Sequence, residues 1–311
     1  MKNEAFILVQ NLKNKILLWR SLTFISIFLV FVVVLGSFRI RSFRNYQKNF
    51  LKKDRELIAR VSIDGTIVNG LFSEEEMEKL KKPEVKAVIL HIDSPGGDIA
   101  ESEKLYSFFY ELSKTKPVIS VIGGSGVSGS YMVAMAGNYL VARNSSVVGS
   151  IGIIYQSYEF TSLADKIGIT FNNYKSSPLK ASPNPFEKTT TDVDLVVNQL
   201  IDDMYQYFLN LFIERRNIKA MEAQEIANGQ LYSGRQALEL GLIDGLGGEE
   251  VALKYLKNKG IDVGKTKILN YGIFYKKKYN LIDVLSEKFY GYYNSNGNSG
   301  PKSRILAIHG N

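Results

Sequence analysis

The 311-residue chain reads as an α/β fold preceded by a single N-terminal transmembrane helix. Three observations lead there. Short apolar runs of strand character alternate with amphipathic helical segments, an order that gives a parallel sheet with helices packed on it. Two glycine-rich turns, Asp93-Ser94-Pro95-Gly96-Gly97-Asp98 and Gly123-Gly124-Ser125-Gly126, follow such runs and precede helix starts. Ahead of all this lies Ser21 to Phe38, SLTFISIFLVFVVVLGSF, which is uncharged, has no polar face and falls within the ~17–25 residues of a spanning helix.

The parts follow in order. Residues 1–20 form a short N-terminal segment and 21–38 the transmembrane anchor. The run Gly36-Ser37-Phe38-Arg39-Ile40-Arg41 lacks a small-x-small cleavage site, which favours an uncleaved anchor over a signal peptide. Lysine and arginine flank the run on both sides, so charge asymmetry does not fix its orientation. Residues 39–55 are a basic linker, 56–260 the folded domain, and 261–311 a C-terminal extension with a flexible patch near 294–303.

Within the domain, Leu57 to Ile63 is a partly alternating strand closed by Asp64-Gly65. Ser73 with Glu76 forms a capping box for a short helix ended by Pro83. Ala87 to Ile92 is a buried strand, apolar except for His91. The helix after Asp98 presents Ile99, Leu105, Phe108, Phe109 and Leu112 on one face. Pro117 to Ile122 is a strand that Gly123 to Gly126 interrupts, and Tyr131 to Ala136 suits a short buried helix. Ile169 to Tyr174 is a further strand, followed by a proline-rich loop from Lys175 to Phe186.

A long helix runs from Thr191, capped through Asp194, to about Asn217. Its stripe of Val193, Val196, Val197, Leu200, Ile201, Met204, Phe208, Leu211 and Phe212 is expected in the core. Leu231 to Gly241 is a capped helix ended by glycine, and a last helix reaches about Lys257. Weaker signals suggest an amphipathic helix at Leu281 to Tyr290 and a strand at Arg304 to Ile308.

Composition narrows the chemistry. The chain has 45% hydrophobic and 23% charged residues, as in a protein that buries a real core. It contains no cysteine, which removes disulfides, thiolate metal sites and catalytic thiols. His91 and His309 are the two histidines, so a histidine base or a His-rich metal site must use one of them. His91 reads as a core residue inside a strand, and His309 lies beyond the flexible patch. The net charge of +8 is concentrated in the first 55 residues and at Lys276-Lys277-Lys278. Basic residues beside an apolar span fit a lipid bilayer; no basic folded face or motif points to nucleic acid.

Ser128, between Val127 and Gly129, follows the glycine-rich turn and precedes a helix. A strand–turn–helix start of this kind holds a hydroxyl exposed with backbone N–H groups beside it. The Gly96-Gly97 turn is a second place where free N–H groups can face one point. A serine nucleophile needs a base. With histidine scarce, lysine remains, where its surroundings favour the neutral amine. Lys180, between Leu179 and Ala181 in the proline-rich loop, fits; Lys175 is the local competitor.

Five ordered motifs carry a resemblance: Asp93-Ser94-Pro95-Gly96-Gly97, Val127-Ser128-Gly129-Ser130-Tyr131, Gly149-Ser150-Ile151-Gly152, Lys180 ahead of Pro185-Phe186, and Ser233-Gly234-Arg235 through Asp244. Over roughly Ile58 to Leu256 the chain resembles the signal peptide peptidase A family, membrane-anchored bacterial serine proteases with a Ser-Lys dyad. The resemblance implies a Clp protease/crotonase-like spiral of ββα units. By it Ser128 matches the nucleophile, Lys180 the general base and Ser150 the group that orients the lysine. Gly129 and Gly96 or Gly97 match the oxyanion-hole donors. It further implies no metal or cofactor, apolar extended peptide substrates such as residual signal peptides, a homo-oligomeric ring, and a domain on the outer side of the cytoplasmic membrane. Two positions depart from the family pattern: Ser130 stands where a second glycine is usual, and Ala181 where an acidic residue is common. An acyl-CoA enzyme of the crotonase class and a catalytically silent membrane scaffold are the competing readings.

Overall fold

A computed structural model describes residues 56–70 and 72–273. The anchor at 21–38, the linker, and the elements expected at 281–290 and 304–308 lie outside the described residues. Among the described residues, no helix is long and apolar enough to cross a membrane.

Strands β1 (Leu57–Asp64), β2 (Val85–Ser94) and β3 (Val118–Val127) pair in parallel at the centre of a mixed sheet. β3 then serves two neighbours. Its first half pairs with β4 (Tyr139–Ala142), and its second half with β5 (Val147–Gly149), both parallel. Beyond them β6 (Leu231–Ser233) runs antiparallel to β5, β7 (Gly245–Leu246) joins β4, and β8 (Lys267–Tyr271) pairs with β1. The glycines at 123, 124 and 126 therefore do not end the strand as their composition suggests. Gly126 pairs with Ser94 on one side and Val148 on the other, while Gly123 and Gly124 cross an irregularity held by side chains: the Ser146 hydroxyl donates to the Gly123 carbonyl and the Asp93 carboxylate accepts the Ser125 N–H.

Both faces of a parallel sheet must be covered, and here they are. Ala59, Val61 and Ile63 of β1 and Val88, Leu90 and Ile92 of β2 face helices α2 (Ile99–Ser113) and α3 (Gly129–Ala134) in the larger core. The alternate residues Ile58, Ala87, Ile89, Ile119, Val121 and Val141 pack under Ala252 and Leu256 of α8 (Glu249–Asn258). The short α1 (Glu74–Glu78) begins at Ser73, whose hydroxyl accepts the Glu76 N–H, and a 3-10 turn at Lys79–Lys81 ends it before Pro83. The remaining helices are α4 (Thr161–Lys166), α5 (Thr191–Arg216), α6 (Ala220–Ile226) and α7 (Gly234–Glu239).

α5 departs from expectation. Thr190, one residue earlier than anticipated, caps it by accepting the Val193 N–H, and Asn217 closes it in the left-handed region. At the C-terminal end Phe208, Leu209 and Phe212 are buried, with Phe212 against Tyr131. Arg215 donates to the carbonyls of Met135 and Gly137, and Arg216 to that of Gly241. Val193 is buried at the N-terminal end as expected, but Val196 and Leu200 of the stripe, with the neighbouring Leu195, face outward. The helix is 26 residues and so about 39 Å long, and it outruns the body that buries it. Residues 169–174 likewise form no strand; they have no ladder partner and Tyr174 is 96% exposed. β8, in contrast, lies beyond residue 260 and belongs to the main sheet.

Replacing the fully buried Phe212 by Ala is expected to cost about 3–5 kcal/mol in denaturant unfolding, because the surrounding helices cannot close the cavity. Leu195→Ala, 57% exposed on the same helix, should change the stability of the isolated chain by less than about 0.5 kcal/mol.

Candidate active site

The site is built where the central strands end. β3 leads into Ser128 at φ 55°, ψ −130°, a region that L residues occupy only under strain, at a cost of ~1–3 kcal/mol. The turn is fixed from both sides. The Ser128 N–H donates to the Gly149 carbonyl at 2.9 Å, and the Ser128 carbonyl accepts the Met132 N–H as α3 begins. The side chain makes no capping bond and is half-buried, so the hydroxyl stands free at the surface of a buried turn.

Ser150 sits beside it for a topological reason. Val127 pairs with Gly149 in adjacent parallel strands, and the next residue of each strand is Ser128 or Ser150. Ser150 too has positive φ, 50°, and its N–H donates to the Gln230 carbonyl at 2.8 Å.

The Gly96-Gly97 turn passes close to these groups. A β-carbon on Gly96 would stand 2.8 Å from both the Gly129 nitrogen and the Val127 oxygen, so only glycine fits. The two glycines are not equivalent. The Gly96 N–H already donates to the Ser94 hydroxyl at 3.1 Å. Ile67 clamps the turn as a parallel bridge: its N–H donates to the Gly96 carbonyl, and its carbonyl accepts the Asp98 N–H, each at 2.8 Å. In such a bridge the middle residue turns its own N–H away from the clamping strand. The Gly97 N–H therefore points from Ile67 toward Gly129; its nitrogen is 3.6 Å from where a β-carbon on Gly129 would be. Gly129, first residue of α3, has an N–H without an intrahelical partner. The Gly97 and Gly129 nitrogens thus lie near one another on the side away from Ile67, and Gly96 supplies the close approach.

Ser130 answers the question raised by its hydroxymethyl group. It is fully buried, accepts the Val127 N–H at 2.9 Å and donates to the Ser94 carbonyl at 2.7 Å. It ties the serine turn to the glycine turn. Ser102, also fully buried, donates to the Asp98 carbonyl and occupies the space that a side chain on Gly129 would need. Neither Ile67 nor Ser102 stands out in the sequence; Ser94 and Ser130 lie inside the motifs but give no sign there of their bonds.

The sequence matches the profile of peptidase family S49 over residues 110–263. A putative protease of Synechocystis sp. is 32% identical over 225 residues, covering 70% of this chain and 80% of the relative. The chain belongs to peptidase family S49. Two further relatives carry the name of the signal peptide peptidase A group within it. A putative signal peptide peptidase SppA of Enterococcus faecium is 31% identical, with 65% of this chain and 63% of the relative covered. The chloroplastic serine protease SPPA of Arabidopsis thaliana is 31% identical over 61% of this chain and 29% of its own length.

The S49 assignment sharpens what must be asked of the base. Lys180 lies exposed on the loop after Tyr174, and within one chain no hydrogen bond joins it to Ser128 or Ser150. Lys175 is engaged: its ammonium pairs with Glu187 and donates to the Ser182 hydroxyl at 3.0 Å. That hydrogen bond, with help from Asn173 and Asn184, holds the Glu187 carboxyl below its usual range. The Lys175 amine is thus committed to partners within its own loop. Ala181, the second departure from the family pattern, adopts φ 55° with its carbonyl accepting from Asn184. His91 stands half-buried against Gly123, before the serine turn, with no bond to it; His309 lies outside the described residues. Among the described residues no group of three or more His, Cys, Asp or Glu side chains could hold a metal ion.

Ser130→Ala should leave the Val127 N–H buried and unpaired, at a cost of about 1–3 kcal/mol. If that strain displaces the donor pair, peptide hydrolysis should lose roughly tenfold in kcat for each ~1.4 kcal/mol, with KM within about twofold. Steady-state kinetics on the purified protein checks both.

Proposed function

We propose that this protein is a membrane-anchored serine endopeptidase that hydrolyses apolar, extended peptides, residual signal peptides among them, through an acyl-enzyme on Ser128. The observation that carries this reading is Ser128 itself: a strained serine at a strand end, its hydroxyl uncommitted, beside two neighbouring backbone donors. Strain of this kind is kept where the surrounding structure over-determines it, and here Gly149, Met132 and the Gly96 turn do so.

In the proposed reaction the neutral Lys180 amine takes the Ser128 proton as the oxygen attacks the peptide carbonyl. The Gly97 and Gly129 N–H groups hold the oxyanion, and the lysine ammonium then protonates the leaving amine. Water, deprotonated by the same amine, releases the acyl group and restores the serine. Ser150 hydrogen-bonds the amine and orients it.

Residues 154–200 support a homo-oligomer. This segment exposes Ile154, Tyr158, Ile167, Tyr174, Leu195 and Leu200, large apolar side chains of the kind that mark an interaction surface. Lys180 lies on the same segment, so assembly, by packing it, would bring a Lys180 amine to Ser128. The Clp protease/crotonase-like spiral, the ring arrangement, the anchor at 21–38 and a position on the outer side of a bacterial cytoplasmic membrane complete the proposal.

Ser128→Ala and Lys180→Ala should each abolish peptide hydrolysis by the full chain in detergent, while Lys175→Ala keeps it. Loss in Lys175→Ala with retention in Lys180→Ala would reverse the assignment of the base. A mixture of the two inactive variants that regains activity would place the dyad across neighbouring copies.

The rate should rise with pH through the neutral and into the alkaline range as the base loses its proton. The Glu187–Lys175 pair does not confuse this test. Because the folded-state value of Glu187 is lowered, the stability it gives the loop is present above the usual carboxylate range and is lost only as pH falls through that lowered value. The Glu187 carboxylate therefore does not change its charge over the window in which the rate climbs. A flat alkaline profile would count against a lysine base.

A further inference from the structure

The end of the sheet opposite Ser128 has a composition of its own. The segments 80–86, 111–116 and 257–267 meet there with Glu56, at the N-terminal ends of β1, β2, β3 and β8. They enclose an open cleft of about 900 Å³, among whose lining residues are Glu56, Lys81, Lys86, Lys116, Lys259 and Asp262. Together these segments and Glu56 hold nine lysines against four carboxylates. The rest of residues 56–273 holds 13 Lys/Arg against 23 Asp/Glu. A domain that is acidic overall thus keeps a net excess of cations at one end. The opposite end, where the strands finish, carries Asp64, Asp93 and Asp98.

Not every lysine here is available. The Lys116 ammonium is used inside the fold, donating to the carbonyls of Leu80, Lys82 and Val85 at 2.8–2.9 Å. Its role is to hold the loop that presents Lys81 and Lys82. Lys81, Lys86, Lys114 and Lys265 have exposed carboxylate partners, pairs that bind weakly in water and exchange readily. Lys82 and Lys257 are exposed without such a partner.

Chain connectivity says what this end faces. Glu56 lines the cleft, and the residues before it, 39–55, carry seven Lys/Arg and one Asp on the way to the apolar run at 21–38. We propose that this lysine-rich end docks on the anionic phospholipid headgroups of the bilayer that holds the chain, a proposal that rests on reading 21–38 as an anchor. Polybasic surfaces next to a membrane span are drawn to anionic leaflets over about a Debye length. Docking orients the domain. With β3 ten residues long, Ser128 would stand about 30 Å above the headgroups, at ~3.3 Å per residue. A peptide would then be cut only after leaving the bilayer.

The absence of native cysteine makes the test direct. Full-length Asn258→Cys at the lysine-rich end and Asn69→Cys, in the loop whose Ile67 bridges Gly97, are each labelled with a fluorophore. Both are reconstituted into vesicles of phosphatidylcholine alone or with 30% phosphatidylglycerol (roughly a physiological anionic fraction), with headgroup-quencher lipids. The Asn258→Cys label should be quenched several-fold more in the anionic vesicles, and 0.5 M salt (a screening length of about 4 Å) should abolish the difference. The Asn69→Cys label should not respond. Combined Lys81, Lys82, Lys257 and Lys259→Gln should remove the lipid dependence while peptide hydrolysis persists. Equal quenching in both vesicles, with the chain still resistant to alkaline carbonate extraction, overturns the docking but keeps the anchor. Extraction by carbonate overturns the anchor and the docking with it.

Discussion

The glycine turn of β2 passes the serine turn of β3 with no room for a β-carbon between them, and much of the site follows from that approach. Gly96 would meet the Gly129 nitrogen and the Val127 oxygen at 2.8 Å if it carried a side chain. Such a contact cannot be held by apolar packing, because the opposing surfaces are backbone. Hydrogen bonds from small buried hydroxyls hold it instead: Ser94 takes the Gly96 N–H, and Ser130 bridges Val127 to Ser94. Ile67 fixes the far side. With the turn clamped, the Gly97 N–H is turned away from Ile67, to the side on which Gly129 and Ser128 lie. Donors fixed before a charge develops cost no reorganisation when it does, which is how such groups accelerate acyl transfer. The cost is an energetically strained Ser128, over-determined by its neighbours.

The parallel sheet makes this convergence possible. β2, β3 and β5 all end at the same edge, so the residues that follow them are neighbours without any long-range design of loops. Ser128 and Ser150 are adjacent because Val127 and Gly149 are paired. The glycine turn is adjacent to both because Ser94 pairs with Gly126. One register error in β3 would send Ser128 to the other face, and the two distinct cores above and below the sheet prevent that slip.

Much of this was legible in the chain. β1, β2 and the start of β3 show as apolar runs because both their faces are buried, and the turns at 93–98 and 123–126 show because glycine is required there. What was not legible has physical causes. The second half of β3 looks like a break, since glycine lacks strand propensity, yet pairing resumes at Ser125 to Val127 and the Asp93 and Ser146 side chains hold the backbone across the gap. Ile67 contributes only its backbone to the site, and a backbone contact leaves no trace in residue type. By periodicity alone the apolar stripe of α5 and the run 169–174 read as core and strand. Periodicity records that a surface avoids water but not what covers it, and in this chain Val196, Leu200 and Tyr174 remain exposed. β8 was missed because an edge strand is only half-buried and its pattern is correspondingly weak.

The same directionality that gathers the reactive groups separates them from the rest of the chain's connections. In a parallel sheet every strand begins at one end and finishes at the other, so the two ends are built from different loops and can differ in charge without conflict. Here the finishing end holds Ser128, the free N–H groups and carboxylates, and the starting end holds Glu56, the cleft and the excess of lysine. Lysines beside Ser128 would add like charge near the ammonium that forms when a lysine base takes up its proton, and would oppose that step. Placed a strand length away they lie several Debye lengths from it, where water and salt screen them. The fold can therefore be basic where the chain emerges and still leave the electrostatics of the serine turn to the few groups that surround it.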